Sequence, residues 1–333
     1  MTGTDPGDGL VLRGVSKTYG ATLALAAIDL HVAPGHMHGL LGRNGAGKSS
    51  LLGILLGLIH RDQGSITLAG SDLRDVRGRV PGGVAGCVEE PRLYPYLTGL
   101  RTLELLARLD DPGGLDPVDT LQRVGLAEQG DRKIGGYSLG MRARLGIAAS
   151  LMRRPRLLVL DEPTSGLDPV AAAALLKLLG GLTIDGTSIV VSSHDLAAVA
   201  DVCDRVTILR HGHVVLDADI ADLAALAPDP VFDLSTRHDA AALDIASRDP
   251  GIDARRTTAG LVVHARADAM DAFVITLASH GVAVRRLTTQ NSPLRALFDD
   301  LTDGPGDSAV AADESRYPVA TVPTEQDLEP LPR

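Results

Sequence analysis

Hydrophobic and polar residues in this chain follow two periods in turn, and the switches between them mark out its elements. Leu10–Val15 alternates as a strand does, Tyr19–Gly20 makes a turn, and Leu23–Val32 is a second extended stretch closed by Pro34–Gly35. Met37–Leu41 is a short apolar strand that runs into a glycine loop. Ser49–Leu58 then has helical length and a face rich in leucine and isoleucine. Ser65–Leu68 and Val84–Val88 read as further strands. From Thr98 to about Leu151 the spacing turns helical, through Leu100, Leu103, Leu106, Ala107 and Leu109, with a break at Pro112–Gly114 and a helix over Val118–Val124. The apolar strand Leu157–Leu160, the helix Val170–Leu179, the strand Ser188–Val191 and the helix Asp195–Val202 complete an alternation that predicts a mostly parallel α/β sheet.

Thr207–Leu216 reads as a hairpin turning at His211–Gly212, and beyond Asp222 the character changes. Val231–Leu234, Leu261–Ala265 and Val282–Leu287 are short strand candidates, with helix candidates Ala240–Ser247 and Ala267–His280 between them. The chain's 333 residues therefore divide into a first domain, 1–221, and a small accessory α+β domain, 222–302. The acidic, proline-rich stretch 303–333 is predicted to be disordered.

A formal net charge of −10 argues against a nucleic-acid partner held by phosphate contacts. Cys87 and Cys203 lie far apart without the spacing of a disulfide framework or a zinc site, as expected of a reducing cytosol. Met1–Gly9 lacks the apolar core of a signal peptide. The longest apolar run, Leu51–Ile59, is about half of the ~20 residues that cross a bilayer. Work at a membrane would then be peripheral, with another chain doing the spanning.

Gly42-Arg43-Asn44-Gly45-Ala46-Gly47-Lys48-Ser49 matches the GxxxxGK[ST] phosphate loop, with an apolar strand before it and a helix, opening on Ser49 and Ser50, after it. Glycines let backbone N–H groups converge on phosphates, Lys48 is placed to neutralise the β and γ oxygens, and the Ser49 hydroxyl suits Mg²⁺. A glycine-rich turn that holds no nucleotide is the plainer alternative. Leu157–Leu160 leads into Asp161 and Glu162, and the carboxyl ends of such strands form the ligand crevice of an α/β sheet. Asp161 would hold Mg²⁺. Alternation along the strand would turn Glu162 the other way, where it can polarise an attacking water.

The run from Asp161 to Pro169 (Asp-Glu-Pro-Thr-Ser-Gly-Leu-Asp-Pro) resembles the joined Walker B motif and D-loop of ATP-binding cassette (ABC) ATPases, and Tyr137-Ser138-Leu139-Gly140-Met141-Arg142 resembles their signature motif. His194 sits where that family has its switch histidine, and Tyr19 resembles the aromatic that stacks on adenine. The resemblance spans roughly residues 10–217. It implies a P-loop NTPase of ABC type, with a RecA-like core, an antiparallel β subdomain and a helical subdomain over about residues 89–151. It also implies ATP and Mg²⁺ as cofactors, ATP hydrolysis, and a head-to-tail pair of cassettes, most simply a homodimer. In that pair Ser138, Leu139, Gly140 and Met141 of one cassette meet the ATP of the other, and Asp168 helps connect the two sites.

Two departures from the family pattern stand out. The signature usually has two glycines and a glutamine after its serine, but here the run is Ser138-Leu139-Gly140-Met141, and the glutamine that contacts Mg²⁺ is replaced by Glu89, with Glu90 as the alternative register. Both departures resemble the drug- and antibiotic-export subgroup of daunorubicin- and bacitracin-resistance type. The function so implied is the ATPase of a separately encoded permease at the cytoplasmic face of the membrane, exporting a drug, antibiotic or lipid-like compound. The alternative is a soluble ABC ATPase acting on a ribosome, DNA or a protein assembly, which one motif set and the lack of heptads disfavour. Asn291–Thr302 resembles the closing helix of the same subgroup. The cluster Arg92-Leu93-Tyr94-Pro95-Tyr96-Leu97 suits either a permease contact or internal packing. His36 with His38, and His211 with His213, read as strand and turn residues rather than metal ligands. Arg142 heads a basic face and is within reach of a phosphate.

Overall fold

The computed structural model describes residues 9–73, 82–88, 91–109, 115–290 and 293–303. Two compact units follow one another along the chain, with the division between Ala221 and Asp222.

The first unit opens with β1 (Leu10–Tyr19) and β2 (Thr22–Val32), an antiparallel pair whose register shifts between Leu12 and Thr18. With β4 (Gln63–Leu68) and β5 (Ser71–Asp72) they make a four-stranded sheet in the order β2-β1-β4-β5. The second sheet has six strands in the order β10-β9-β3-β8-β7-β6. Its strands are β3 (Met37–Leu41), β6 (Val84–Cys87), β7 (Leu157–Leu160), β8 (Ser188–Ser193), β9 (Arg205–Arg210) and β10 (His213–Asp219). Every pairing in it is parallel except β9 with β10, the predicted hairpin. Every residue of β3, β7 and β8 is buried, and a parallel strand covered on both faces has no solvent side, so β7 is wholly apolar while β3 and β8 carry buried polar residues such as His38 and Ser192. Helix α1 (Lys48–Leu55) follows β3, and Leu51, Leu52 and Leu55 join Leu12, Ile28, Leu40, Val190 and Leu209 in one core that spans both sheets.

The stretch predicted to be helical from Thr98 to Leu151, with a break at Pro112–Gly114, comprises three helices. They are α2 (Gly99–Leu109), α3 (Pro117–Arg123) and α4 (Leu139–Leu151), packed on one another, with single 3₁₀ turns at Ala127–Gln129 and Ile134–Gly136. Asp116 caps α3 by accepting from the Val118 and Asp119 amides. Helices α5 (Pro169–Ile184) and α6 (Leu196–Ala200) connect β7, β8 and β9, and the boundary between units falls inside α7 (Ile220–Leu226).

The second unit runs β11 (Val231–Thr236), α8 (Asp239–Ala246), β12 (Asp253–Thr257), β13 (Gly260–His264), α9 (Ala267–Ser279), β14 (Val284–Thr289) and α10 (Pro293–Asp303). Its sheet order, β12-β13-β11-β14 with antiparallel neighbours throughout, is the ferredoxin-like split β-α-β arrangement. Leu234, Leu261, Val263, Met270, Phe273 and Leu277 fill its core. Strand β12 and helix α7 have no counterpart in the sequence reading. Among the described residues no helix is long and apolar enough to cross a membrane.

Candidate functional site

The carboxyl ends of β3, β7 and β8 come together in the first unit, and beside them lie Lys48, Asp161, Glu162 and His194, the residues to which the sequence assigns the chemistry. The loop after β3 bends through Gly42, Gly45 and Gly47, whose φ values are 152°, 84° and 108°. At Gly47 the requirement is steric as well, because a Cβ there would lie 2.6 Å from the Ala24 carbonyl oxygen. Gly47 is the N-cap of α1 and makes no side-chain cap, so the first amides of that helix face the loop with its positive end. Arg43, Asn44, Gly45 and Ser49 are exposed, while Ala46 and Lys48 are buried. The loop is clasped from a distant part of the chain. Gly212, at the β9–β10 turn, donates its N–H to the Ala46 carbonyl at 3.0 Å and accepts the Ala26 N–H at 2.9 Å. With φ 81°, and with the Ala24 carbonyl 2.7 Å from any Cβ, position 212 also requires glycine. His211 and His213 therefore flank a structural turn.

Lys48 lies almost wholly within the protein. Its Nζ donates to the Gly42 carbonyl at 2.6 Å and lies 3.4 Å from Glu162 Oε1. The other carboxylate oxygen of Glu162 is 2.8 Å from His194 Nδ1. One carboxylate thus links the lysine of the phosphate loop to the histidine after β8. Strand alternation does not set this direction, as β7 stops at Leu160 and Glu162 lies in a turn with φ 46°. A residue with a Cβ in that left-handed region costs on the order of 1–3 kcal/mol, so the surroundings must hold it.

They hold it through Ser192. Its hydroxyl accepts the Glu162 N–H at 2.7 Å and donates to Asp161 Oδ1 at 2.5 Å. The Asp161 N–H in turn donates to the Cys87 carbonyl at 3.0 Å. Ser192 is absent from the sequence reading, which ended β8 at Val191. The signal available was a polar residue following an apolar strand, two places before His194. Its meaning depends on the adjacency of β7 and β8, whose paired register ends at Leu160 with Val191.

The signature residues form the start of α4. Ser138 is its N-cap and accepts the Met141 N–H at 3.2 Å, and Arg142 donates to the Tyr137 carbonyl at 2.9 Å. Tyr137 is packed inside, its hydroxyl donating to the Gln129 carbonyl at 2.6 Å, and burial raises its pKa. Leu139 meets the D-loop at Gly166, and Asp168 caps α5 by accepting from Val170 and Ala171. Asp168 is exposed, and so is Tyr19 at the end of β1, over whose ring the Lys17 ammonium lies at 5.4 Å. Glu89 and its alternative Glu90 lie outside the described residues, as does the stretch 304–333. His38 is not a ligand but part of a buried polar chain, bonded to Thr207 Oγ1 at 2.8 Å.

Residues 25–165 match the ABC transporter family. Bacitracin transport ATP-binding protein BcrA of Enterococcus faecalis is 37% identical over 213 residues, 63% of this chain and 69% of BcrA. Daunorubicin resistance ATP-binding protein DrrA3 of Streptomyces coeruleorubidus is 32% identical over 305 residues, 88% of this chain and 95% of DrrA3. Among solved structures, cbiO1 of Clostridium perfringens, part of the ABC transporter complex cbiONQ, aligns with a TM-score of 0.60 at 26% identity, over 65% of this chain and 90% of cbiO1. The chain belongs to the ATP-binding cassette family of transporter ATPases.

Proposed function

We propose that this ATPase drives a separately encoded membrane permease that exports an antibiotic or other drug-like compound. The observation that carries the reading is the Glu162 carboxylate, which reaches both Lys48 and His194 at the mouth of the phosphate loop. The loop amides and Lys48 bind the ATP phosphates, and Tyr19 stacks on the adenine. Asp161 and Ser49 offer the hard oxygen donors that suit Mg²⁺, with Glu89 as a further candidate. The ion, when bound, neutralises charge on the β- and γ-phosphates. Glu162 accepts the proton of the attacking water, and His194 orients that carboxylate.

The exposed Asp168 and the helix end carrying Ser138, Leu139, Gly140 and Met141 support a second copy of the chain set head to tail, its ATP meeting this helix N-terminus. Tyr94 and Tyr96, 62% and 66% exposed with ring centroids 5.6 Å apart, form the surface offered to the permease. The names of BcrA and DrrA3 support export of an antibiotic or drug as the task. They also leave the soluble alternative without a favouring observation. The second unit serves as an accessory domain.

Glu162→Gln tests the core of this reading. It should bind ATP normally, lose roughly 10²–10⁴-fold in turnover and accumulate as an ATP-bound dimer in gel filtration. Hydrolysis at the parental rate would remove Glu162 from the role. Tyr94→Ala should weaken co-purification with a co-expressed permease while basal ATPase stays within about two-fold, since the ring sits on the surface. Equal loss of both activities would make the cluster internal packing.

A further inference from the structure

Ser192 is completely buried, yet its two bonds go to the carboxylate-bearing segment after β7. A serine hydroxyl has one proton and two lone pairs. The Ser192 proton is committed to Asp161 Oδ1, which leaves a lone pair for the Glu162 N–H. Asp161 is therefore held on one side by the β6 backbone, through the Cys87 carbonyl, and on the other by a β8 side chain. Glu162 is held at its backbone in a left-handed conformation, φ 46°, from which its carboxylate reaches Lys48 and His194.

We propose that Ser192 is the positioning residue for both carboxylates of the ATP site, fixing the rotamer of Asp161 and the left-handed backbone of Glu162 with a single hydroxyl. The inference rests on the metal-holding role proposed for Asp161 and the water-activating role proposed for Glu162. A hydroxyl that merely filled space would be replaceable by alanine with no change in how the site responds to Mg²⁺. A group that orients a metal-holding carboxylate is worth roughly 10–100-fold in metal affinity or activity.

The test uses the full chain carrying Ser192→Ala, Ser192→Thr or Asp161→Asn. ATPase rate is measured against Mg²⁺ concentration, and ATP binding by equilibrium dialysis with and without Mg²⁺, the binding arm in a Glu162→Gln background so that no hydrolysis intervenes. Ser192→Ala should raise half-saturating Mg²⁺ roughly 10-fold and lower kcat by a similar factor, with Mg²⁺-free ATP binding unchanged. Ser192→Thr, which keeps the hydroxyl, should restore both. Parental Mg²⁺ dependence and kcat in Ser192→Ala would overturn the proposal, as would a folded Ser192→Thr that restores neither. If Ser192→Ala does not fold, Ser192→Cys keeps the volume with a poor donor. It should show the same rise in half-saturating Mg²⁺, and parental behaviour would again overturn the role. An Asp161→Asn chain with unaltered Mg²⁺ dependence would instead strike the metal assignment on which the inference stands.

Discussion

Ser192 in the first unit and Thr302 in the second are both buried hydroxyls, but they find partners at different ranges. Thr302 donates to the Phe298 carbonyl one helical turn back, and Thr236, the other buried threonine of the second unit, bonds to Asp239 three residues on. Ser192 reaches Asp161, just past the end of the neighbouring strand β7. His38 reaches Thr207, whose hydroxyl donates to Asp217 at 2.8 Å, and the Arg205 guanidinium grips the same carboxylate at 2.8 Å. Because the Thr207 proton is spent on Asp217, His38 Nε2 is the donor of its pair. Local bonds survive any arrangement in which the helix or turn forms. Bonds between strands demand one strand order and one register. The interior of the first unit is therefore specified by inter-strand polar pairings as well as apolar packing, and that of the second by apolar volume with local polar bonds, a looser condition.

The sharpest break in this comparison is Lys48→Ala. It should abolish ATP binding in a filter assay, at least a 100-fold loss on the scale of a lost phosphate-clamping charge, with the circular dichroism spectrum unchanged. Retained affinity would mean that the buried lysine serves the fold and not the nucleotide.

Phe273→Ala is the counterpart in the second unit. It should cost about 3–5 kcal/mol in urea denaturation, as large-to-small changes in a closed core do, and leave ATP affinity as it was. A loss of ATP affinity at full folding would dissolve the contrast between a specified interior and a merely filled one.

His38 gives the smallest effect, and a signed one. Burial lowers its pKa from 6.5 to about 4, so the native chain keeps the imidazole neutral. Below pH 6.5 the unfolded chain takes up a proton that the folded one refuses, and stability is lost as pH falls towards 4. The loss amounts to about 1–3 kcal/mol. Urea midpoints at pH 7 and pH 5 should separate in the parent and draw together in His38→Gln. An equal separation in both would place the acid sensitivity elsewhere.

The chemistry of the first unit is legible in the sequence because its motifs are local. Gly42 to Ser49, Ser138 to Arg142 and Asp161 to Asp168 are contiguous runs, and each forms one loop or helix end. What the sequence hides depends on adjacency. Ser192 looks like any strand end until β7 is known to lie beside β8, and nothing in the turn at Gly212 announces a bond to Ala46. In the second unit β12 escapes because Asp253–Thr257 has a burial pattern of one half-buried and four exposed residues, an edge strand without alternation to betray it. Helix α7 escapes because Ile220 follows the last residue of β10 with no intervening turn signal. In the helical stretch before the signature the break at Pro112–Gly114 is legible from its residues, whereas the start of α4 at Leu139 is set by the Ser138 cap.

The clasp at Gly212 also bears on the order in which this protein can mature during synthesis. The phosphate loop leaves the ribosome early, but the amide that bonds to Ala46 arrives only when nearly all of the first unit has been made. A nascent chain ending anywhere between Ser49 and His211 holds the complete nucleotide-loop motif without its brace. Closing a contact of such long range is slow. Bracing of the nucleotide loop is thus a late event in the life of the chain, set by the β9–β10 hairpin rather than by the loop's own residues.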